Sequence, residues 1–234
     1  MCRPVEGTDA WVALTSRADG DARKLEGVAG RRWVVARQVH GSGVAVVEAP
    51  TVGRAGRVRL PAGEGGGRAS LVADALVTAS PDVCLAVLGA DCALVGLASA
   101  EGVVAAVHCG WRGLLAGVVE RAVEAMRSLG AGEVRALTGP CIHAECYEFG
   151  AFDLAAVASA FGDEVRSTAS SGEPALDLPL ALRRSLDRAA VVEVGSLGGC
   201  TACDARWYSH RARGELARHA LAIWREPADY GGRG

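Results

Sequence analysis

A single mixed α/β domain spanning residues 1–234 is the fold this sequence predicts, and three observations predict it. Short, wholly apolar runs recur between residues 75 and 107, the pattern of strands covered on both faces. A segment with apolar side chains at helical spacing follows them. Half of the 234 residues are hydrophobic while aromatics are 5%, so the core is built from small aliphatic side chains.

The elements follow in order. Trp-Val-Ala-Leu-Thr at 11–15 is the first strand candidate. Trp-Val-Val-Ala at 33–36 and Val-Ala-Val-Val at 44–47 read as strands on either side of His40. Residues 61–68, Pro-Ala-Gly-Glu-Gly-Gly-Gly-Arg, lack the Gly-Lys-Ser/Thr ending of a phosphate loop and read as a connector. The runs at 75–78, 84–88, 94–97 and 103–107 are strands. Residues 114–128 place Leu114, Leu115, Val118, Val119, Ala122 and Met126 on one helical face, with Glu120, Arg121 and Glu124 between them. A strand returns at 134–138 and meets Gly139-Pro140-Cys141. Further helices are expected at 151–161, 178–189 and 211–224; the second begins after Asp177 with Pro179 in its first turn, where proline is tolerated.

Composition excludes several functions. A net charge of −2 with scattered arginines carries no electrostatic footprint for nucleic acid or an acidic membrane. Residues 1–7 are polar, and the longest apolar stretch, 83–99, is broken by Gly89 and Asp91 and is short for a bilayer span. A cytoplasmic protein is expected, with no membrane partner. Its eight cysteines are then expected as free thiols or metal ligands.

The chemistry gathers in three segments. Val-Ala-Ala-Val at 104–107 ends on His108, followed by Cys109-Gly110-Trp111-Arg112-Gly113 and a helical segment whose start favours anions. Gln38-Val39-His40-Gly41 puts a histidine beside a glycine, where a ligand can approach closely. Asp91-Cys92 interrupts an apolar run, and a charge there must be paired or functional. His40, Cys92 and His108 thus supply two imidazoles and a thiol. That set suits a catalytic zinc, which keeps a fourth position for water and lowers its pKa to about 7. It is also the donor set of blue copper, although Met1 and Met126 lie in no motif that suggests an axial ligand. A third reading makes Cys92 or Cys109 a nucleophile with a histidine base. Cys141, Cys146, Cys200 and Cys203 could form a structural zinc site, but buried free thiols are the preferred reading.

Taken together, these motifs resemble the bacterial laccase-domain, or polyphenol-oxidase-like, proteins, also described as multifunctional purine nucleoside phosphorylases. The resemblance rests on Arg37-Gln-Val-His-Gly41, Ala73-Asp-Ala-Leu-Val-Thr78, Ala90-Asp-Cys92, His108-Cys-Gly-Trp-Arg-Gly113, Thr138-Gly-Pro-Cys-Ile142, Cys146-Tyr-Glu148, Leu176-Asp-Leu178, Cys200-Thr201 and Tyr208-Ser-His-Arg211. These occur in order and cover roughly residues 30–224. The resemblance implies a four-layer α/β/β/α sandwich with zinc on His40, Cys92 and His108. It implies a small-molecule partner: phosphorolysis of adenosine, inosine, guanosine and methylthioadenosine, and deamination of adenosine. Some members were named for copper-dependent phenol oxidation, and some are linked to peptidoglycan assembly, so a copper oxidase and a cell-wall factor with a vestigial site are the alternatives.

Within that frame Arg112 is the first candidate for phosphate, against an ion pair fixing the turn, with Arg37 and Arg211 behind it. Asp91, Glu145 and Glu148 are candidates for a proton-shuttling carboxylate. His210 is expected to make a structural hydrogen bond, and Trp111 to pack in the core in preference to stacking on a purine. Four departures from the family pattern stand out, one of them Arg218-His219 where Arg-Gln is common. Cys109 and His143 replace a usual Ala and Gly. Residues 18–24 run almost directly into Val28, so a wall of the substrate pocket is expected to be missing.

Overall fold

The computed structural model describes residues 1–48, 58–59 and 71–226. The connector expected at 61–68 lies outside them. Two mixed sheets dominate. The first has the order β1 (Cys2–Pro4), β2 (Ala10–Leu14), β15 (His219–Arg225), β8 (Cys84–Gly89), β4 (Arg31–Val34), β3 (Gly27–Val28). The second has the order β14 (Val191–Ser196), β11 (Val134–Thr138), β9 (Ala93–Ser99), β10 (Val104–Cys109), β7 (Ala75–Thr78), β5 (Val44–Val47), β6 (Val58–Arg59). A small hairpin joins β12 (Arg166–Thr168) to β13 (Pro174–Leu176).

Strand alternation divides the core in two. On β10, Val104 and Ala106 face the first sheet, where they meet Leu76, Leu85, Val87, Leu94, Leu221 and Ile223. Ala105, Val107 and Cys109 face the other way, toward the helices α1 (Trp111–Leu115), α2 (Val118–Ser128), α3 (Ala151–Phe161) and α4 (Leu178–Arg188). Each large aliphatic side chain removed from water in these layers contributes about 1.5–3 kcal/mol. Cys109 is therefore a buried core thiol on the helix side of the sheet.

The helical layer departs from expectation at one point and the strands at another. Gly117, in the left-handed region at φ 78°, breaks the helix read over 114–128 into α1 and α2. The helix expected at 211–224 is instead the single turn α5 (His210–Arg213), ended by Gly214, followed by β15. Leu221 and Ile223 fill the inter-sheet core while Ala222 and Trp224 take the outer face. That two-residue period outweighs the helix propensity of an Ala- and Leu-rich segment. The outer face of the first sheet is small: Ala13, Cys84, Ala86 and Ala222 are covered by Trp11, Trp33 and Trp224, all on strands. Three layers, α/β/β, are thus present among the described residues. On the outer face of the first sheet the Arg31 guanidinium lies over the Trp224 ring. No helix among the described residues is long and apolar enough to cross a membrane.

Candidate metal centre and cleft

The site forms at one end of the sandwich, where the chain passes from one sheet to the other. The β4–β5 link carries Gln38 and His40, and the β8–β9 link carries Asp91 and Cys92. His108, two residues beyond Ala106, shares its inter-sheet face and stands near the tip of β10. The donor atoms of His40, Cys92 and His108 all lie within 4.8 Å of one another, close enough to share one ion. The two imidazoles meet edge to face at 4.9 Å.

One buried carboxylate organises this end. Asp74 is fully buried, and its Oδ1 accepts from the His40 backbone N–H at 2.9 Å and stands 2.9 Å from His108 Nδ1. Its Oδ2 accepts from the N–H groups of Gly41 at 2.8 Å and Val39 at 3.2 Å. Burial pushes this carboxyl up, but His108 and the N–H donors of Gly41 and Val39 outweigh it and hold it below its ordinary value. The bond to Nδ1 leaves Nε2 of His108 for the cluster, the arrangement by which a carboxylate orients a metal-binding histidine. Asp74 was not singled out from the sequence; its only signal was a charge inside Ala73-Asp-Ala-Leu, where it must be paired.

The thiol and the imidazole polarise each other. Burial raises the Cys92 thiol, but the adjacent His108 and His40 rings lower it further, below its ordinary value. Burial lowers His108, and Cys92 with Asp74 more than restores it, above the ordinary imidazole value. A thiolate and a carboxylate thus bracket one ring, which favours a cation among them. The donor chemistry, convergence and outer carboxylate all fit a zinc ion. Glycine permits the closeness: a Cβ at Gly110 would stand 3.0 Å from His40 Cδ2 and 3.1 Å from Cys92 Sγ.

Backbone strain marks the same two crossings. His40 has φ 60° and Asp91 φ 101°, left-handed conformations that cost non-glycine residues roughly 1–3 kcal/mol. Hydrogen bonds hold both. Asp91 accepts from Thr201 Oγ1 at 2.7 Å and from the Arg211 N–H at 2.6 Å. The Gln38 amide clamps Leu88 in both directions, at 2.7 and 2.8 Å.

Beside the cluster opens a cleft of about 600 Å³, within the range of small-molecule sites. Arg23, Arg112, Arg211 and Arg218 line it, with Tyr147, His210 and Leu88, and Asp91 is its one carboxylate among the described residues. Of the three proposed proton shuttles, Asp91 alone reaches the cleft. Glu148 instead accepts from Ser171 at 2.7 Å, and Glu145 stands among cysteines. Arg112 makes no ion pair among the described residues; its guanidinium lies over the Trp111 ring at 4.2 Å. The ion-pair reading of Arg112 therefore gives way. The helix start expected after Gly110 is there, but its helix α1 is only five residues long. Arg37 does not line the cleft, whereas Arg211 does, bonded to the Glu148 carbonyl at 2.6 Å. The His210 ring makes no hydrogen bond among the described residues and faces the cleft, contrary to its expected structural role. Trp111 packs edge to face on Phe149 at 5.3 Å, in the core as expected. Arg23 and its turn Ala22–Lys24 supply a wall where one was expected to be missing.

The sequence matches the family described as Multi-copper polyphenol oxidoreductase laccase over residues 16–226. The chain belongs to that family. Among curated proteins, it is 37% identical over 215 residues to a purine nucleoside phosphorylase of Streptomyces coelicolor, covering 91% of this chain and 82% of the relative. A purine nucleoside phosphorylase of Mycobacterium tuberculosis is 35% identical over 210 residues, covering 86% of this chain and 75% of its own. Among solved structures, YlmD from Geobacillus stearothermophilus superposes with a TM-score of 0.73 at 26% identity, covering 96% of this chain and 94% of that one. A Neisseria meningitidis protein of the DUF152 family gives 0.74 at 25% identity, covering 94% and 95%. Mixed α/β architecture is thus common to this chain and its structural neighbours.

Proposed function

We propose that this chain is a zinc-dependent purine nucleoside phosphorylase. One observation carries the reading: a His-Cys-His cluster, oriented by a buried carboxylate, opens onto an arginine-lined cleft of nucleoside size. The names of the curated relatives support the same substrate class. The proposed substrates are adenosine, inosine, guanosine and methylthioadenosine, with deamination of adenosine as a further activity. His40, Cys92 and His108 would hold the zinc, which supplies a Lewis acid at the end of the cleft.

Phosphorolysis joins phosphate to the ribose anomeric carbon as the bond to the purine breaks. Arg112, with no carboxylate partner among the described residues, and Arg211 hold the phosphate oxygens by charge-assisted hydrogen bonds. The purine leaves with the bonding electron pair on a ring nitrogen. His210, unbonded and facing the cleft, supplies the proton to that nitrogen. Asp91, which accepts from Thr201 and the Arg211 N–H, faces the ribose, where a carboxylate offsets the positive charge that develops. Tyr147 and Leu88 offer the apolar walls for the base.

A copper-dependent phenol oxidase would use the same three ligands, a donor set that suits copper. The two methionines argue against a blue-copper site: Met126 is buried in the helical core and Met1 pairs with Leu14 at the first sheet. Zinc-loaded protein incubated with adenosine, with and without phosphate, tests the proposal. Phosphate-dependent adenine supports phosphorolysis, and inosine supports deamination. No product under either condition overturns the nucleoside reading. Phenol oxidation by copper-loaded protein that survives zinc exchange favours the oxidase.

A further inference from the structure

The four cysteines weighed from the sequence do not assemble as a set. Cys141 is buried against Cys200 through its backbone, as the free-thiol reading expects. Cys146, Cys200 and Cys203 instead converge with Glu145, and all four donor atoms lie within 4.8 Å of one another. Cys146 Sγ stands 3.4 Å from Cys203 Sγ, and Cys203 Sγ stands 3.7 Å from Glu145 Oε1. A tetrahedron of donors about 2.3 Å from zinc has edges of about 3.8 Å. Those two spacings are close to such an edge, and the remaining donor pairs lie within 4.8 Å. We propose that Glu145, Cys146, Cys200 and Cys203 form a second metal site, separate from the His40–Cys92–His108 cluster, that takes zinc as a closed structural ion.

Three further features support the assignment. Cys200-Thr-Ala-Cys203 has the two-residue spacing of a zinc knuckle, and Cys146 with Glu145 comes from a separate turn, Ala144–Cys146. The backbone N–H of His143 donates to Cys200 Sγ at 3.4 Å, which fixes the direction of that sulfur. All eight cysteines are free thiols, so none of the three is committed to a disulfide. A cysteine pair alone would not need a third thiol and a carboxylate aimed at the same point. On binding, the ion displaces the thiol protons to solvent, leaving three thiolates and one carboxylate as the complete set of ligands.

The placement assigns the ion a task. Tyr147, which lines the cleft, follows Cys146; Thr201, which follows Cys200, holds the Asp91 carboxylate. Pinning the two turns together positions both residues from behind. This role is independent of which substrate the cleft accepts.

Zinc alone is the probe. Protein prepared under reductant, loaded with zinc and freed of excess is analysed for metal per chain. Two zinc ions are expected in the wild type, one in His108→Ala and one in Cys203→Ser. Cys203 is exposed, so this variant is expected to keep its fold, checked by circular dichroism. As a second measurement that needs no change at this site, His108→Ala/Cys92→Ser protein loaded with cobalt(II) is expected to show thiolate-to-metal charge-transfer absorption. One ion in the wild type with none in His108→Ala overturns the proposal. So does a folded Cys203→Ser that still holds two, the absence of the charge-transfer band, or a Cys146–Cys203 disulfide found by mass spectrometry in protein never reduced.

Discussion

Asp74→Asn is the substitution that probes the organisation of the site most directly. The carboxylate accepts two bonds on each oxygen: His40 N–H and the His108 ring on Oδ1, Val39 and Gly41 N–H on Oδ2. An asparagine keeps one acceptor oxygen and replaces the other with an NH2. If the NH2 takes the Oδ2 position, it confronts two N–H donors and leaves both unsatisfied. Each stranded buried donor costs about 1–3 kcal/mol, so the pair costs about 2–6 kcal/mol. If the NH2 takes the Oδ1 position, only the His40 N–H is stranded, but His108 Nδ1 must then accept. The ring proton moves to Nε2 and occupies the lone pair the cluster needs. Either orientation weakens metal binding, by about 10–100-fold for loss of such an outer partner. Urea unfolding of metal-free protein measures the first effect, and zinc competition with a chromophoric chelator measures the second. An Asp74→Asn protein within about 0.5 kcal/mol of wild type, with unchanged zinc affinity, would refute the assignment of Asp74 as organiser.

Gly110→Ala places a methyl 3.0 Å from His40 Cδ2 and 3.1 Å from Cys92 Sγ, so both ligands must shift by a few tenths of an ångström and zinc affinity is expected to drop about tenfold; Gly150→Ala, which meets nothing within 4 Å, is expected to leave it unchanged under the same titration. Arg112→Ala is expected to raise the KM for phosphate tenfold or more while thermal stability moves by less than about 0.5 kcal/mol, because the guanidinium is exposed, with an aromatic ring beneath it and no ion pair among the described residues. His219 is buried with both ring nitrogens unbonded, and burial lowers its pKa to about 4. The unfolded chain takes up this proton below pH 6.5 and the folded chain does not. Stability tied to His219 is therefore intact above about pH 6.5 and lost as pH falls toward 4, by about 3 kcal/mol. Denaturation midpoints of wild type and His219→Gln across that window are expected to converge at low pH relative to their separation at pH 7; parallel curves would contradict this.

The legible parts of this molecule were those in which local pattern and environment agree. His108 ends an apolar strand, and Cys92 follows a charge inside an apolar run; both signals are local, and both residues stand in the cluster. Asp74 gave a similar signal but reads as an ordinary paired charge until its four donors, from two distant segments, are seen together. The cysteine cluster was half visible: its knuckle lies within four residues, yet the choice of Glu145 over Cys141 depends on how the turn before Tyr147 packs. β15 was misread because Ala, Leu and Ile alternate there in a way that serves a strand or a helix. The decision lies with the gap between β2 and β8, which only a strand fills.

That gap has a consequence for how the protein is made. Leu221 pairs with Leu14 on one side and Val87 on the other. While the ribosome is still translating, β2 and β8 have no neighbour between them, and the inner face of the first sheet stays open to solvent. The nascent chain therefore reaches its native topology only after residue 225 emerges, and it closes a contact more than two hundred residues long as one of its last acts. Premature termination anywhere before β15 would leave a sticky half-sandwich, a natural client for a holding chaperone.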